Sequence, residues 1–332
     1  MTLRNLLTDI PGLRVGHAGD AKLGSGVTTI VFDAAVVASV DVRGGGPGTR
    51  ETALLDPAQT VEGIDAIVLS GGSAFGLDAA SGVQAWLREQ GRGFKVREAL
   101  VPIVPGAILF DLVSGGDKKW GRYPPYRELG YEAAKIAGAD FALGSAGAGL
   151  GATTFSLKGG IGSASAQTRD GLTVAAIVAT NAAGSVTIGD GPHFWAAPFE
   201  QNKEFGGRGW PPAFAGEALA FRSKGAPREN TTLAVVATDA KLSKAQCKRL
   251  AVMAQSGLSR AIYPVHTPLD GDVVFAAAMG TKPLPDPVYS LSELGMAAAN
   301  VLARAIARGV YEATALPFAG SLPSWKDKFA QS

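Results

Sequence analysis

The sequence predicts an α+β fold built as a layered sandwich. Candidate strands come in antiparallel-looking pairs, residues 25–32 with 35–42 and residues 160–168 with 172–181. Candidate helices fall in blocks of their own, without the strand–helix alternation of a doubly wound parallel sheet. Hydrophobic residues make up 46% of the 332 and charged ones only 18%, enough apolar surface for a large core. No linker is long enough to force a division, so the chain reads as one domain over residues 1–332.

The first strands are rich in β-branched residues: Ser25-Gly-Val-Thr-Thr-Ile-Val-Phe32 and Ala35-Val-Val-Ala-Ser-Val-Asp-Val42, with Asp33 and Ala34 as a tight connection. Arg43-Gly-Gly-Gly-Pro-Gly-Thr49 is a glycine loop. Residues 64–69 form another strand, leading into Ser70-Gly-Gly-Ser-Ala-Phe-Gly76 and a helix from Ser73 that stops at Gly91. Neither loop, nor the run from Gly147 to Gly151, has the spacing of a phosphate- or dinucleotide-binding loop. Close backbone approach to a substrate or a partner subunit is the better reading.

Residues 107–111 are a short apolar element, and residues 127–137 carry a helical pattern ended by Gly138. Arg169-Asp-Gly171 suits the turn of a hairpin. Residues 231–238 and 273–278 are apolar strands. Between them, Ser243-Lys-Ala-Gln246 is a capping box, with Leu242 and Cys247 placed as its hydrophobic staple. Ser290-Leu-Ser-Glu293 reads as a second capping box, opening a helix that runs to Arg308 and stops at Gly309. The tail from Pro323 to Lys328 reads as peripheral.

A net charge of +2 gives no electrostatic case for nucleic acid or an anionic membrane surface. A single cysteine, Cys247, excludes an internal disulfide and fits a reducing compartment. The N-terminus lacks an apolar signal core, and no apolar run approaches the ~20 residues that span a bilayer. The expectation is a cytoplasmic protein. His17, His193 and His266 are scattered, without zinc-binding spacing or a second cysteine, so neither a metal nor a cofactor is expected.

Chemistry concentrates around Thr231. The segment before it, Phe221-Arg-Ser-Lys-Gly-Ala-Pro-Arg-Glu-Asn230, is polar, basic and broken by Gly225 and Pro227; the segment after it is a strand. Scission between Asn230 and Thr231 would give Thr231 both a hydroxyl and a free α-amine. That amine, with a reference pKa of about 7.7–8.0, can serve as base for its own hydroxyl. A threonine at a strand start and an asparagine in a turn are equally common in chains that are never cut. Asp270-Gly-Asp272 places two carboxylates on one side of an extended segment, where their mutual repulsion pushes their pKa values apart. A polar turn between strands explains the same residues. His266 lies close by in sequence and is the histidine to watch, though a structural role is the plainer reading.

Several stretches together, in order, resemble the DmpA-type aminopeptidase family of L-aminopeptidase/D-esterases, β-aminopeptidases and nylon-oligomer hydrolases. They are Val40-Asp-Val-Arg-Gly-Gly45, Leu69-Ser-Gly-Gly-Ser-Ala-Phe-Gly-Leu77, Val104-Pro-Gly-Ala-Ile-Leu-Phe-Asp111, Gly144-Ser-Ala-Gly-Ala-Gly149, Asn230-Thr-Thr232 and the segment from His266 to Asp272. The resemblance implies a four-layer α/β/β/α sandwich, like that of ornithine acetyltransferase, and an autoprocessing N-terminal-nucleophile hydrolase. Cleavage at Asn230 and Thr231 would give chains 1–230 and 231–332. It further implies Thr231 as nucleophile, Asp270 and Asp272 as the aspartates after it, Asn181 as an oxyanion donor and Lys158 as a positive charge in the site. A solvated loop lysine is the plain alternative for Lys158. A tyrosine of the nylon-oligomer hydrolases falls at Phe110, a departure that removes its hydroxyl and puts that substrate in doubt for this chain. The resemblance implies a small peptide or amide substrate and a tetramer of processed heterodimers. An acyltransferase like ornithine acetyltransferase, a nylon-oligomer-type endo-amidase and a non-enzymatic, uncleaved binding protein are the competing readings.

Overall fold

The structure, a computed structural model, describes residues 3–224 and 230–330. Nine strands form one continuous hydrogen-bonded sheet. They are β1 (Leu13–Asp20), β2 (Ser25–Val42), β3 (Gly48–Arg50), β4 (Gly63–Ser70), β7 (Gly106–Ile108), β8 (Gly160–Gln167), β9 (Thr173–Thr180), β10 (Leu233–Ala240) and β11 (Val273–Lys282). The order is β3-β7-β4-β2-β11-β10-β9-β8, with β1 added to β2. A separate hairpin pairs β5 (Phe94–Val96) with β6 (Ala99–Val101). The large sheet is mostly antiparallel; β10 with β11 and β4 with β7 run parallel. The 160–168 and 172–181 hairpin expected from Asp170-Gly171 forms as β8 and β9.

The sheet folds into two layers because β2 belongs to both. Its first half pairs with β1 and β4, its second half with β11. The two strands expected at 25–32 and 35–42 are therefore one strand of 18 residues. Asp33-Ala34 lacks a glycine, and Ala34 does not suit the positive φ that a type I′ hairpin turn requires at its second central residue. The chain stays extended there, and residues 33–35 bulge into solvent where the register with β4 slips.

Alternation along the strands sorts side chains into three cores. Val174, Ala176, Val178, Ala234, Val236, Val274 and Ala276 face a helical layer made of α3 (Lys244–Ala254), α4 (Ser256–Ala261) and α5 (Tyr289–Tyr311). The residues between them, such as Ile177, Leu233, Val235, Val273 and Phe275, face the other way. They pack against Ile30, Phe32, Ile67 and Leu69 of the second sheet layer. Val27, Val31, Ala66 and Val68, on the far side of that layer, meet α1 (Ala79–Glu89) and α2 (Tyr126–Lys135). The result is the four-layer α/β/β/α sandwich. The middle strands are buried on both faces, which is why they read as continuous Ala/Val runs.

Two local expectations change. Ser243 caps α3 with Gln246 as expected, over a buried Leu242 and Cys247. Ser290 does not cap α5: the helix begins at Tyr289, and the Asp286 carboxylate accepts the Val288 and Tyr289 N–H groups instead. Ser290 Oγ turns to Asp170 Oδ2 at 2.5 Å. The tail is also not peripheral. It forms α6 (Trp325–Phe329), whose Trp325 is buried, stacks on Phe194 at 5.7 Å and lies under the Arg208 guanidinium.

Lys158 and Lys244 act as internal clamps. Lys158 Nζ donates to the carbonyls of Gly149, Ala152 and Gly159, each at 2.8 Å. Lys244 Nζ donates to those of Leu54, Gln59 and Val61. Burial pulls the Lys158 ammonium from its ordinary 10.5 down to about 7, against an opposing attraction from Asp111. The unfolded chain then binds more protons than the folded one between about pH 7 and 10.5, so this residue makes stability rise with pH through that window.

Two predictions follow from this packing. Lys158→Met leaves three buried carbonyls without their donor and is expected to destabilise the fold at every pH. The gap in unfolding free energy between wild type and Lys158→Met should widen from pH 7 to pH 9, as read by urea denaturation; a constant gap would refute the shifted lysine. Gly162 of β8 lies so close to α5 that a Cβ there would stand 1.7 Å from the Ala305 carbonyl oxygen. Gly162→Ala should cost about 1–3 kcal/mol, visible as a lower urea midpoint with an unchanged slope.

Candidate active site

Thr231 lies two residues before β10, between the ends of β9 and β11, and is almost completely buried. The strand thus begins slightly later than the 231–238 expected, because residues 230–232 are held by loops. Asn230 pairs with Asp270 as an isolated parallel bridge: its N–H donates to the Leu269 carbonyl at 2.9 Å, and its carbonyl accepts from Gly271 N–H at 2.7 Å. Thr231 N–H donates to the Asn181 carbonyl at 2.8 Å, and Thr231 Oγ1 donates to the Asn230 carbonyl at 2.6 Å. The carbonyl of the proposed cleavage point therefore accepts two hydrogen bonds, one of them from the adjacent hydroxyl.

The Asp272 carboxylate holds the backbone after Thr231, and the Asp270 carboxylate holds the segments at Ala183 and Thr267 around it. Asp272 Oδ1 accepts from Thr232 N–H at 2.9 Å; its Oδ2 accepts from the His266 N–H at 3.2 Å and pairs with His266 Nδ1 at 2.8 Å. Asp270 Oδ1 accepts from Ala183 N–H at 3.1 Å, and its Oδ2 accepts from the N–H and hydroxyl of Thr267 at 2.9 and 2.7 Å. Burial first, and then the neighbouring Asp272 charge, push the Asp270 carboxyl above the usual carboxylate range. The glycine loop after β2 supports this turn from below. Arg43 N–H donates to the Asp272 carbonyl, Gly45 N–H to that of Thr267 and Gly46 N–H to that of Asp270. The close backbone approach expected of that loop is thus made to the chain's own acidic turn.

Asn181 connects Thr231 to the glycine-rich loop at 147–153. Its Oδ1 accepts from Thr153 N–H at 3.0 Å, and its Nδ2 donates to the Phe110 carbonyl at 3.1 Å. Lys158 forms a bridge with Thr153 one step further away, and its ammonium sits on the three loop carbonyls described above. Asp111, next to Phe110, is fully buried. It accepts from Ser25 Oγ at 2.6 Å and from Gly72 N–H at 2.8 Å, and burial raises its pKa.

The structure thus gathers Thr231, Asn181, Asp270 and Asp272 through direct hydrogen bonds. Lys158 stands behind them, one loop removed. Two site residues, Lys224 and Gly271, were outside the sequence reading of catalysis. Lys224 Nζ lies 3.5 Å from Asn181 Oδ1 and donates to the Thr153 carbonyl at 2.6 Å; its one signal was its place seven residues before Thr231. Gly271 was read only as a spacer between carboxylates. His266, singled out by proximity, is the direct partner of Asp272. The rest of the linker, residues 225–229, lies outside the described residues. Burial pushes the Cys247 thiol up to about 12, in keeping with a core cysteine. Among the described residues no group of three His, Cys, Asp or Glu side chains is placed to hold a metal, and no helix is long and apolar enough to cross a membrane.

Comparison with known proteins gives this geometry a family. An uncharacterized aminopeptidase of Mycobacterium bovis is 46% identical over 347 residues, covering 98% of both chains. An uncharacterized aminopeptidase of Mycobacterium leprae is 44% identical over 330 residues, covering 91% of this chain and 89% of the other. A 6-aminohexanoate-oligomer endohydrolase of Agromyces sp. is 27% identical over 292 residues, covering 83% of this chain and 76% of the other. Among solved structures, a Burkholderia sp. beta-aminopeptidase matches with a TM-score of 0.73 at 23% identity, covering 98% of this chain and 91% of the other. The L-aminopeptidase D-Ala-esterase/amidase of Ochrobactrum anthropi, described as a variant of the Ntn hydrolase fold, matches with a TM-score of 0.72 at 20% identity and the same coverage. These two share the fold. The description Peptidase family S58 matches residues 5–321, and the chain belongs to that family of peptide- and amide-bond hydrolases.

Proposed function

We propose that this hydrolase cuts itself between Asn230 and Thr231 and then works as an N-terminal-threonine aminopeptidase or amidase on small peptides or amides. The observation that carries the reading is the 2.6 Å contact of Thr231 Oγ1 with the Asn230 carbonyl, inside a pocket of positioned backbone donors and two buried carboxylates. Scission there would expose an α-amine on the residue that bears the hydroxyl. That amine accepts the Oγ proton as Oγ attacks a substrate carbonyl, and the acyl-threonine is released by water. Asn181 Nδ2, resting on the Phe110 carbonyl in the continuous chain, is the side-chain donor within reach of a developing oxyanion. Asp272 fixes the backbone after the nucleophile. Asp270 fixes Ala183, beside Asn181. The mycobacterial relatives, named as aminopeptidases, favour that activity for this chain. The relatives named as 6-aminohexanoate-oligomer endohydrolases favour an endo-amidase instead, and Phe110 in place of their tyrosine weighs against it. An acyltransferase would use the same hydroxyl but pass the acyl group to an amine, so product analysis with an added acceptor amine separates it. The assembly that fits best is a homo-oligomer of cut chains.

Two predictions test this. Purified protein run under denaturing conditions should give a small fragment of 102 residues, about 10 kDa of the 33.9 kDa total, whose N-terminal sequence begins Thr-Thr-Leu. A fragment beginning elsewhere, or a chain that stays whole, would sink the proposal. Thr231→Ala should remain full length, and Thr231→Ser, which keeps a hydroxyl, should still be cut. Asp270→Asn and Asp272→Asn, which loosen the backbone around the nucleophile, should each lower kcat on an aminoacyl p-nitroanilide by about 10²-fold, measured on chains shown by mass to be cut. Wild-type rates in both would reduce the acidic turn to a structural one.

A further inference from the structure

The peptide before Thr231 is held as a reactant. Its carbonyl oxygen accepts from Gly271 N–H at 2.7 Å on one side and from Thr231 Oγ1 at 2.6 Å on the other. Its nitrogen, that of Thr231, donates to the Asn181 carbonyl, and the Asn230 N–H before it donates to the Leu269 carbonyl. Gly271 also lies against the nucleophile, since a Cβ built on it would stand 2.6 Å from Thr231 Oγ1 and 2.6 Å from the Gly46 carbonyl. No side chain fits between the donor and the reacting atoms.

We propose that the Gly271 backbone N–H is the oxyanion donor of the self-cleavage reaction, and that a residue without a side chain is required there so that the donor and Thr231 Oγ can reach one carbonyl together. The inference rests on the self-processing reading above. Thr231 Oγ bonds to the Asn230 carbonyl carbon, and the negative charge that develops on the carbonyl oxygen falls on Gly271 N–H. The bond from that carbon to Thr231 N then breaks, with the Oγ proton ending on the nitrogen. An ester joins Asn230 to Thr231 Oγ beside a free α-amine. Water adds to the ester, Oγ leaves, and the products are an Asn230 carboxylate and a free Thr231 hydroxyl.

A rung of a parallel ladder would make the same hydrogen bond for structure alone, so the test must separate rate from stability. Gly271→glycolate, introduced as an α-hydroxy acid, replaces the N–H by oxygen and adds no atom. The next rung, in which Val273 N–H donates to the Thr232 carbonyl at 3.0 Å, supplies the control through Val273→2-hydroxyisovalerate. Both esters remove one ladder bond and weaken one carbonyl acceptor. First-order scission, followed by intact mass, should slow about 10²–10³-fold for Gly271→glycolate and by no more than a few-fold for the control, at similar thermal midpoints. Equal rates for Gly271→glycolate and wild type, or equal slowing of both esters, would overturn the proposal while leaving self-processing intact. A wild type that never cuts at this bond would remove the processing reading and this inference together. A second measurement avoids the ester. In uncut Thr231→Ala, isotope-labelled at the Asn230 carbonyl carbon and the Gly271 nitrogen, a coupling through the hydrogen bond should be seen by NMR. Its absence would refute the contact.

Discussion

Leu233 stands opposite Val273 in a parallel ladder, and the distances around Thr231 follow from that register. Two parallel strands that begin level bring the loops before them side by side. The loop before β10 carries Asn230 and Thr231, and the loop before β11 carries Asp270 to Asp272. A slip of one residue would turn Val235 and Phe275 away from the inner core and move each carboxylate to the wrong side of Thr231. The apolar alternation that fixes the core therefore also fixes the chemistry. β9 adds the third edge: its antiparallel register with β10 ends at Ala179 opposite Leu233, so Asn181 arrives beside Thr231.

Charge is handled in the interior by backbone more than by ion pairs. Lys158 and Lys244 each satisfy three carbonyls, while Asp270 and Asp272 take backbone N–H groups together with the Thr267 hydroxyl and the His266 ring. Carbonyls and N–H groups have fixed directions, so such contacts determine the conformation of the loops as well as neutralising them. Loops 43–46, 147–153 and 266–272 have little apolar surface of their own to bury. These bonds hold them rigid without it.

Much of this was legible in the sequence. Continuous apolar runs and the Asp-Gly turn located β8 through β11, and the ordered motifs led to Thr231, Asn181, Asp270 and Asp272. What was missed has physical reasons. β2 was divided because a bulge and a turn both interrupt apolar alternation, and only backbone pairing tells them apart. The Ser290 box satisfied a spacing rule, but the helix starts one residue earlier, at Tyr289, where Asp286 takes the Val288 and Tyr289 N–H groups. Trp325 was read as peripheral because its partners, Phe194 and Tyr311, are distant in sequence. Gly271 was invisible as a donor because a backbone N–H has no signature of its own. Lys224 was invisible because the amide it approaches belongs to Asn181, 43 residues away.

Were the chain cut after Asn230, the strand order would decide how its two pieces stay together. β10 and β11 are neighbours in the middle of the sheet, with β9 bonded to one flank and β2 to the other. Both flanking strands precede residue 230, and both central strands follow it. A break after Asn230 would leave the C-terminal piece as a two-stranded insert, zipped along each edge into the N-terminal piece and covered by cores on both faces. To separate, the pieces would have to give up both edges and two hydrophobic layers at once. Division of the covalent chain would change its ends, not its integrity, and the two pieces would remain partners for as long as the sheet itself endures.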